Sequence, residues 1–168
     1  MKKAFSAYFA CFSLAGCFGY QIGAVKPHYL SDVHTIAVPM FKNDTLLPRV
    51  EPLVTNSVIK QFQLDGTFKI GNEDNADAIL KAEVSRISRS PARSVRGNVL
   101  ATTEFNLVIH VKYRLVGRDG KTIGPPGEAQ GTTSFFVGPD VVTDERQALP
   151  LATEELATRL VSQLSEGW

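Results

Sequence analysis

Apolar positions along this chain follow several different rhythms, and the changes of rhythm mark its elements. Residues 4–15 are almost wholly apolar, broken only by Ser6 and Ser13. Residues 35–40 form a second short apolar run, rich in β-formers and closed by Asn43-Asp44, which predicts a buried strand. Pro39 cannot donate to a ladder, so that end of the strand belongs at an edge or beyond the pairing. From Pro48 the period lengthens: Val50, Leu53, Val54, Val58 and Phe62 recur at steps of three and four, one face of an amphipathic helix. Asp65-Gly66 ends it, the glycine suiting the left-handed position after a last helical turn.

A brief strand over residues 67–70 and another from Ala78 to about Ile87 follow, the latter with Leu80, Ala82 and Val84 facing one way and Lys81, Glu83 and Ser85 the other. Strict alternation is clearest next. Phe105, Leu107, Ile109, Val111, Tyr113 and Leu115 alternate with Asn106, Val108, His110, Lys112 and Arg114, the mark of an antiparallel sheet covered on one side. Asp119-Gly120 is a turn signal, Gly124-Pro125-Pro126-Gly127 reads as a loop device, and residues 128–137 make a last strand with Phe135 toward the core. From about Asp144 to Leu164 helical spacing returns with Leu149, Ala152, Leu156, Leu160 and Leu164, Pro150 marking a kink or the true first turn. The expected fold is α+β: a two-layer sandwich with two amphipathic helices packed on one face of a four- to five-stranded mixed, mostly antiparallel sheet.

The first apolar run changes the picture of where this domain lives. Lys2 and Lys3 precede it, and at about a dozen residues it falls short of the roughly 20 that a spanning helix needs. This is the form of a signal peptide. Leu14-Ala15-Gly16-Cys17 then reads as a lipobox, with the Cys17 thiol acylated and cleavage before it. The implied organisation is a leader over residues 1–16, a lipidated tether over residues 17–33 and one domain over residues 34–168. Cys11 leaves with the leader and the Cys17 sulfur is occupied, so neither serves a disulfide, a metal or a nucleophile. Phe18 stands where aspartate would favour the inner membrane, which points to the periplasmic face of the outer membrane. Near the anchor, Phe18, Tyr20 and Ile22 suit contact with membrane or partner.

Charge and motif searches exclude more than they assign. Removing Lys2 and Lys3 takes the formal net charge from +1 to −1, which leaves no global attraction to nucleic acid. His28, His34 and His110 have no partner at ligand spacing, and no nucleophile elbow, phosphate loop or paired-acid motif occurs. No cofactor and no catalysis are expected. One local feature stands out: Arg86, Arg89, Arg93 and Arg96 are interleaved with serines, with no acid between Glu83 and Glu104. The planar guanidinium fork suits phosphate and carboxylate. The segment reads either as a contact for an anionic partner, such as lipopolysaccharide phosphates or an acidic protein surface, or as a solvated loop. Lys112 and Arg114 would extend it on the open sheet face.

These residues together resemble the LptE family of lipopolysaccharide-assembly lipoproteins over essentially the whole mature chain. The resemblance rests on Cys17-Phe18-Gly19-Tyr20, the Thr35–Phe41 run with Asn43-Asp44-Thr45, and a helix closing at Asp65-Gly66. It continues through Asn75–Leu80, Asp119-Gly120-Lys121 and a terminal helix finishing near Gly167-Trp168. It implies a non-catalytic outer-membrane lipoprotein that plugs an LptD-type β-barrel translocon and touches lipopolysaccharide through basic residues. The first half of the pattern is also similar to periplasmic lipoproteins that activate cell-wall synthases or build curli-type secretion pores. Those usually carry further helices between strands, whereas residues 78–137 show none.

Overall fold

The structure is a computed structural model and describes residues 26–95 and 98–167. The leader, the Cys17 lipobox, Phe18, Tyr20, Ile22, Arg96 and Trp168 lie outside the described residues. After a short 3-10 turn at His28–Leu30 come β1 (Thr35–Ala37), β2 (Lys42–Asn43), α1 (Val50–Asp65) and β3 (Lys69–Gly71). The long elements follow: β4 (Ala78–Val95), β5 (Asn98–Gly117), β6 (Thr122–Phe136) and α2 (Val141–Ser165). The strands make one six-stranded sheet in the order β3-β1-β4-β5-β6, with β2 also on β4. β1 runs parallel to β3 and β4, β2 parallel to β4, and β4-β5-β6 form an antiparallel meander. Both helices cover one face, the expected α+β sandwich.

The first apolar run forms two short strands where one was expected. Both pair with β4, Ile36 opposite Ala78 and Lys42 opposite Glu83, and the break contains Pro39. The N–H of Phe41, freed by that break, donates to Thr55 Oγ1 of α1 at 3.0 Å, while the Thr55 hydroxyl donates to Glu51 O at 2.7 Å. A backbone group that the ladder loses is thus satisfied inside the core, as burial requires. α1 ends as its sequence predicts: Gly66 takes φ 75° and its N–H bonds Phe62 O at 3.0 Å. α2 begins earlier than residue 144, because Asp140 caps the N–H groups of Val142 and Thr143. Pro150 lies inside this 25-residue helix rather than at its start.

Val50, Val54, Val58 and Phe62 of α1 and Ala152, Leu156, Leu160 and Leu164 of α2 bury against Leu80, Val84, Leu107, Ile109, Val111 and Leu115. Leu30 and Val33, placed in the tether by the sequence reading, are buried in this core at 0% and 5% exposure. Gly131 sets the closeness of α2 to β6: a Cβ there would lie 2.0 Å from the Ala152 carbonyl oxygen. The Gly124–Gly127 segment is not a free loop. It bulges within β6, where Tyr113 pairs Gly127 and Leu115 pairs Ile123, and an edge strand tolerates its two prolines. The rings of Tyr29 and Tyr113 fill the spaces over Gly124 and Gly127.

β6 begins pairing β5 only at Phe136 opposite Glu104, and β2 stops opposite Val84. The β4–β5 hairpin therefore projects past the rest of the sheet. The 3-10 turn sits at the other end, with the Tyr29 ring over Gly124 and Lys26 Nζ 4.7 Å above the Phe68 ring.

Candidate basic face of the open sheet

Alternation along β4 and β5 turns their apolar residues toward the helices and leaves a polar face that no described helix covers. Register fixes what meets there. Lys42, Glu83, Lys112 and Glu128 lie in one row across β2, β4, β5 and β6, alternating in sign, and Lys112 Nζ is 3.7 Å from Glu128 Oε1. One row toward the end where Lys26 sits, Lys81 faces Arg114 directly across the ladder. Both are exposed, and among the described residues neither enters an ion pair, nor does Lys42. Like charges directly opposite in a ladder are destabilising. Lys42, Lys81, Lys112 and Arg114, with Glu83 and the edges of Tyr113 and Pro126, line one shallow depression of about 350 Å3. Such a surface offers several cationic donors to one multivalent anion and no enclosed cavity for a small molecule.

In the next row toward the hairpin, Arg86 pairs with His110, its Nη2 3.5 Å from His110 Nε2. Burial, and then the neighbouring guanidinium, hold the His110 pKa below the ordinary imidazole value, against a smaller opposing effect of Glu128. A neutral ring can accept from Arg86 and adds no charge, so this row contributes its arginine alone.

The sequence-derived basic residues thus divide. Lys112 and Arg114 share the open face as expected, and the bulge at Ser85 brings Arg86 to it, where unbroken alternation would have turned it toward the helices. Arg89 does not join them: the bulge at Ser85 shifts register, Arg89 lies opposite Leu107 on the helix side, and its Nη1 bonds Glu145 Oε2 of α2 at 2.8 Å. Arg93 sits on the hairpin 3.8 Å from Glu104. From Arg86 to Arg93 the segment is therefore strand rather than a solvated loop, with Arg86 and Arg89 on opposite faces. Lys42 and Lys81 were missed as members of the site. Lys81 was legible as a polar-face residue, whereas Lys42 reaches the face only through the parallel pairing of β2 with β4.

Among the described residues no group of three or more His, Cys, Asp or Glu is arranged to hold a metal ion. No described helix is long and apolar enough to cross a membrane. The buried Tyr113 phenol donates to Gln163 at 2.8 Å, and burial raises its pKa to about 12, which marks it as a structural tie between β5 and α2.

The fold is shared with solved lipoprotein structures. A minor lipoprotein from Acinetobacter baumannii superposes with TM-score 0.55 at 16% identity, covering 80% of this chain and 94% of that one. A PelC dodecamer subunit from Paraburkholderia phytofirmans gives 0.51 at 16% identity, covering 83% and 94%. Uncharacterized lipoprotein B from Nitrosomonas europaea gives 0.50 at 12% identity, covering 87% and 86%. At these identities the likeness concerns the fold alone. No curated protein sequence matches the chain significantly. The LptE family model, described as lipopolysaccharide-assembly, matches residues 33–164, nearly the whole packed domain and every strand and helix that builds the basic face. The chain belongs to the LptE lipopolysaccharide-assembly family.

Proposed function

We propose that this protein is an outer-membrane lipoprotein, anchored through acylated Cys17, that assembles with and plugs an LptD-type β-barrel translocon. Its open sheet face takes the anionic head group of lipopolysaccharide on the way to the outer leaflet. The observation that carries this reading is the Lys81–Arg114 pair, two like charges facing each other with no ion-pair partner among the described residues, in a chain of nearly balanced charge. A phosphate placed between them removes their repulsion and gains charge-assisted hydrogen bonds. Lys42 and Lys112 supply further donors around the same depression.

Geometry agrees with an anchor at one end. From Cys17 to Lys26 the chain can span at most about 30 Å. The 18 residues of β4 cover about 60 Å, and the hairpin points away from the end where Lys26 sits. An anchored domain then reaches away from its own leaflet, as a plug standing in a barrel would. Photo-cross-linkers placed at positions 42 and 114 in intact envelopes are expected to capture lipopolysaccharide, and depletion to hold lipopolysaccharide inside the envelope. Adducts with no lipopolysaccharide from either position would remove the ligand from the account.

A second reading, a secretion-pore or synthase-activating lipoprotein, is favoured by one observation: the subunit of a PelC dodecamer shares the fold. A stable ring of identical copies in detergent, without a barrel partner, would support it over the translocon plug.

A further inference from the structure

β2 leaves β4 at Asn43 opposite Val84, and the last bond along that edge is Asp44 N–H to Val84 O at 3.0 Å. β4 continues to Val95 with β5 on its other side. From Arg86 to Ser90 alternate residues turn their N–H and C=O groups outward, as an antiparallel strand must, and no described strand meets them. Pro91, which has no N–H, closes the window. The open edge is thus five residues long, the length of an ordinary strand. Residues 44–47 turn aside there and leave a groove of about 450 Å3, lined by Leu46, Ile87, Arg86 and Arg89 together with the acids Asp44 and Glu145. Leu46 is fully exposed at 104%.

The opposite edge is closed to such pairing. On β6, Glu155 of α2 accepts the Thr132 N–H at 2.7 Å, the α2 backbone presses on Gly131, and Pro125 and Pro126 lack donors. β3 at the remaining edge has three residues.

We propose that the Arg86–Ser90 edge of β4 accepts one added strand from a partner protein, an extended segment that alternates acidic and apolar side chains. Register sets the alternation. Positions beside Arg86, Ser88 and Ser90 lie on the open face, where an acid meets Arg86, which has no acidic ion-pair partner among the described residues and whose one described hydrogen-bond partner is the His110 ring. Positions beside Ile87 lie on the helix side, where an apolar residue packs against Ile87 and Leu46. Arg89 is already held by the Glu145 carboxylate, which shows how an acid docks on this edge. A second copy of this chain fits poorly, because its edge carries the same two arginines and no acid between Glu83 and Glu104 to meet them. The inference goes beyond the lipid-binding reading and does not depend on it.

The test uses the full chain in detergent with two labelled decapeptides, one alternating glutamate and valine, the other lysine and valine. The glutamate peptide should bind at least about tenfold more tightly, and its binding should slow amide exchange at residues 86–90. Arg86→Glu should reverse the preference. Leu46→Asp, at a fully exposed position, should weaken glutamate-peptide binding several-fold even if the arginine variant fails to fold. Equal affinity for both peptides, binding without protection of residues 86–90, or protection that grows with protein concentration alone would each overturn the proposal.

Discussion

Replacing Lys81 by glutamate should make the fold more stable and its ligand binding weaker. Lys81 and Arg114 are directly opposite, about 5 Å apart at the Cβ level. In water two unit charges at that distance interact by about 0.8 kcal/mol. Turning repulsion into attraction changes the sum by about twice that, and screening at physiological salt reduces it to about 1 kcal/mol. The neighbours do not reverse this: Glu83, two residues along the strand, becomes repulsive, while Lys112 and Lys42 on the two diagonals become attractive, all at about 7 Å. For a domain of this size about 1 kcal/mol raises Tm by about 2–4 °C. Thermal unfolding by circular dichroism should show that gain in physiological salt and the loss of most of it in 1 M salt, where the Debye length is about 3 Å. Binding of lipopolysaccharide micelles, measured alongside, should fall by about tenfold. A lower Tm, or unchanged lipopolysaccharide binding, would refute the reasoning that this pair is kept for a ligand at a cost in stability.

Three further outcomes follow from the packing. Gly131→Ala places a methyl 2.0 Å from the Ala152 carbonyl oxygen and 2.5 Å from the Leu156 backbone nitrogen, so α2 must lift from β6. Urea unfolding should show a loss of about 3 kcal/mol or more. Tyr113, with its pKa raised to about 12, keeps its proton longer in the folded state than in the unfolded one. Its contribution is complete below pH about 10 and is lost as pH rises toward 12. Tyr113→Phe should abolish that alkaline loss and, by removing the bond to Gln163, cost about 1 kcal/mol at neutral pH. The Asp77 carboxylate accepts the His34 and Thr35 N–H groups at 3.1 and 2.9 Å, and these bonds lower its pKa. The stability they add is present above the unfolded value and disappears as pH falls through the folded one. Asp77→Asn should flatten the acid limb of the Tm–pH profile.

Local signals carried much of this fold. The alternation from Phe105 to Leu115 and the Asp65-Gly66 stop are properties of adjacent residues, and the structure bears both out. Features that depend on distant partners were illegible. Arg86 to Val95 shows no apolar face, so it reads as loop until β5 is seen to hold it as a ladder. Gly124 to Gly127 has the composition of a turn, and it is pairing with β5 on either side that keeps it in the strand, with the rings of Tyr29 and Tyr113 over its glycines. The same limit applies to the basic face. Lys112 and Arg114 could be placed on it from period two alone, but Lys42 arrives through a parallel pairing, and the one-residue bulge at Ser85 sends Arg89 to the opposite side. A single inserted residue in a strand exchanges faces for everything beyond it.

Isolation of the full-length lipoprotein from gently solubilised envelopes, with identification of what stays bound, tests the central claim most directly. The account predicts a very large outer-membrane β-barrel bound to it together with lipopolysaccharide. It also predicts that charge reversal at Lys42, Lys81 and Arg114 releases the lipopolysaccharide while the barrel is retained. Recovery of a peptidoglycan synthase or a homo-oligomeric secretion pore in place of the barrel would contradict it.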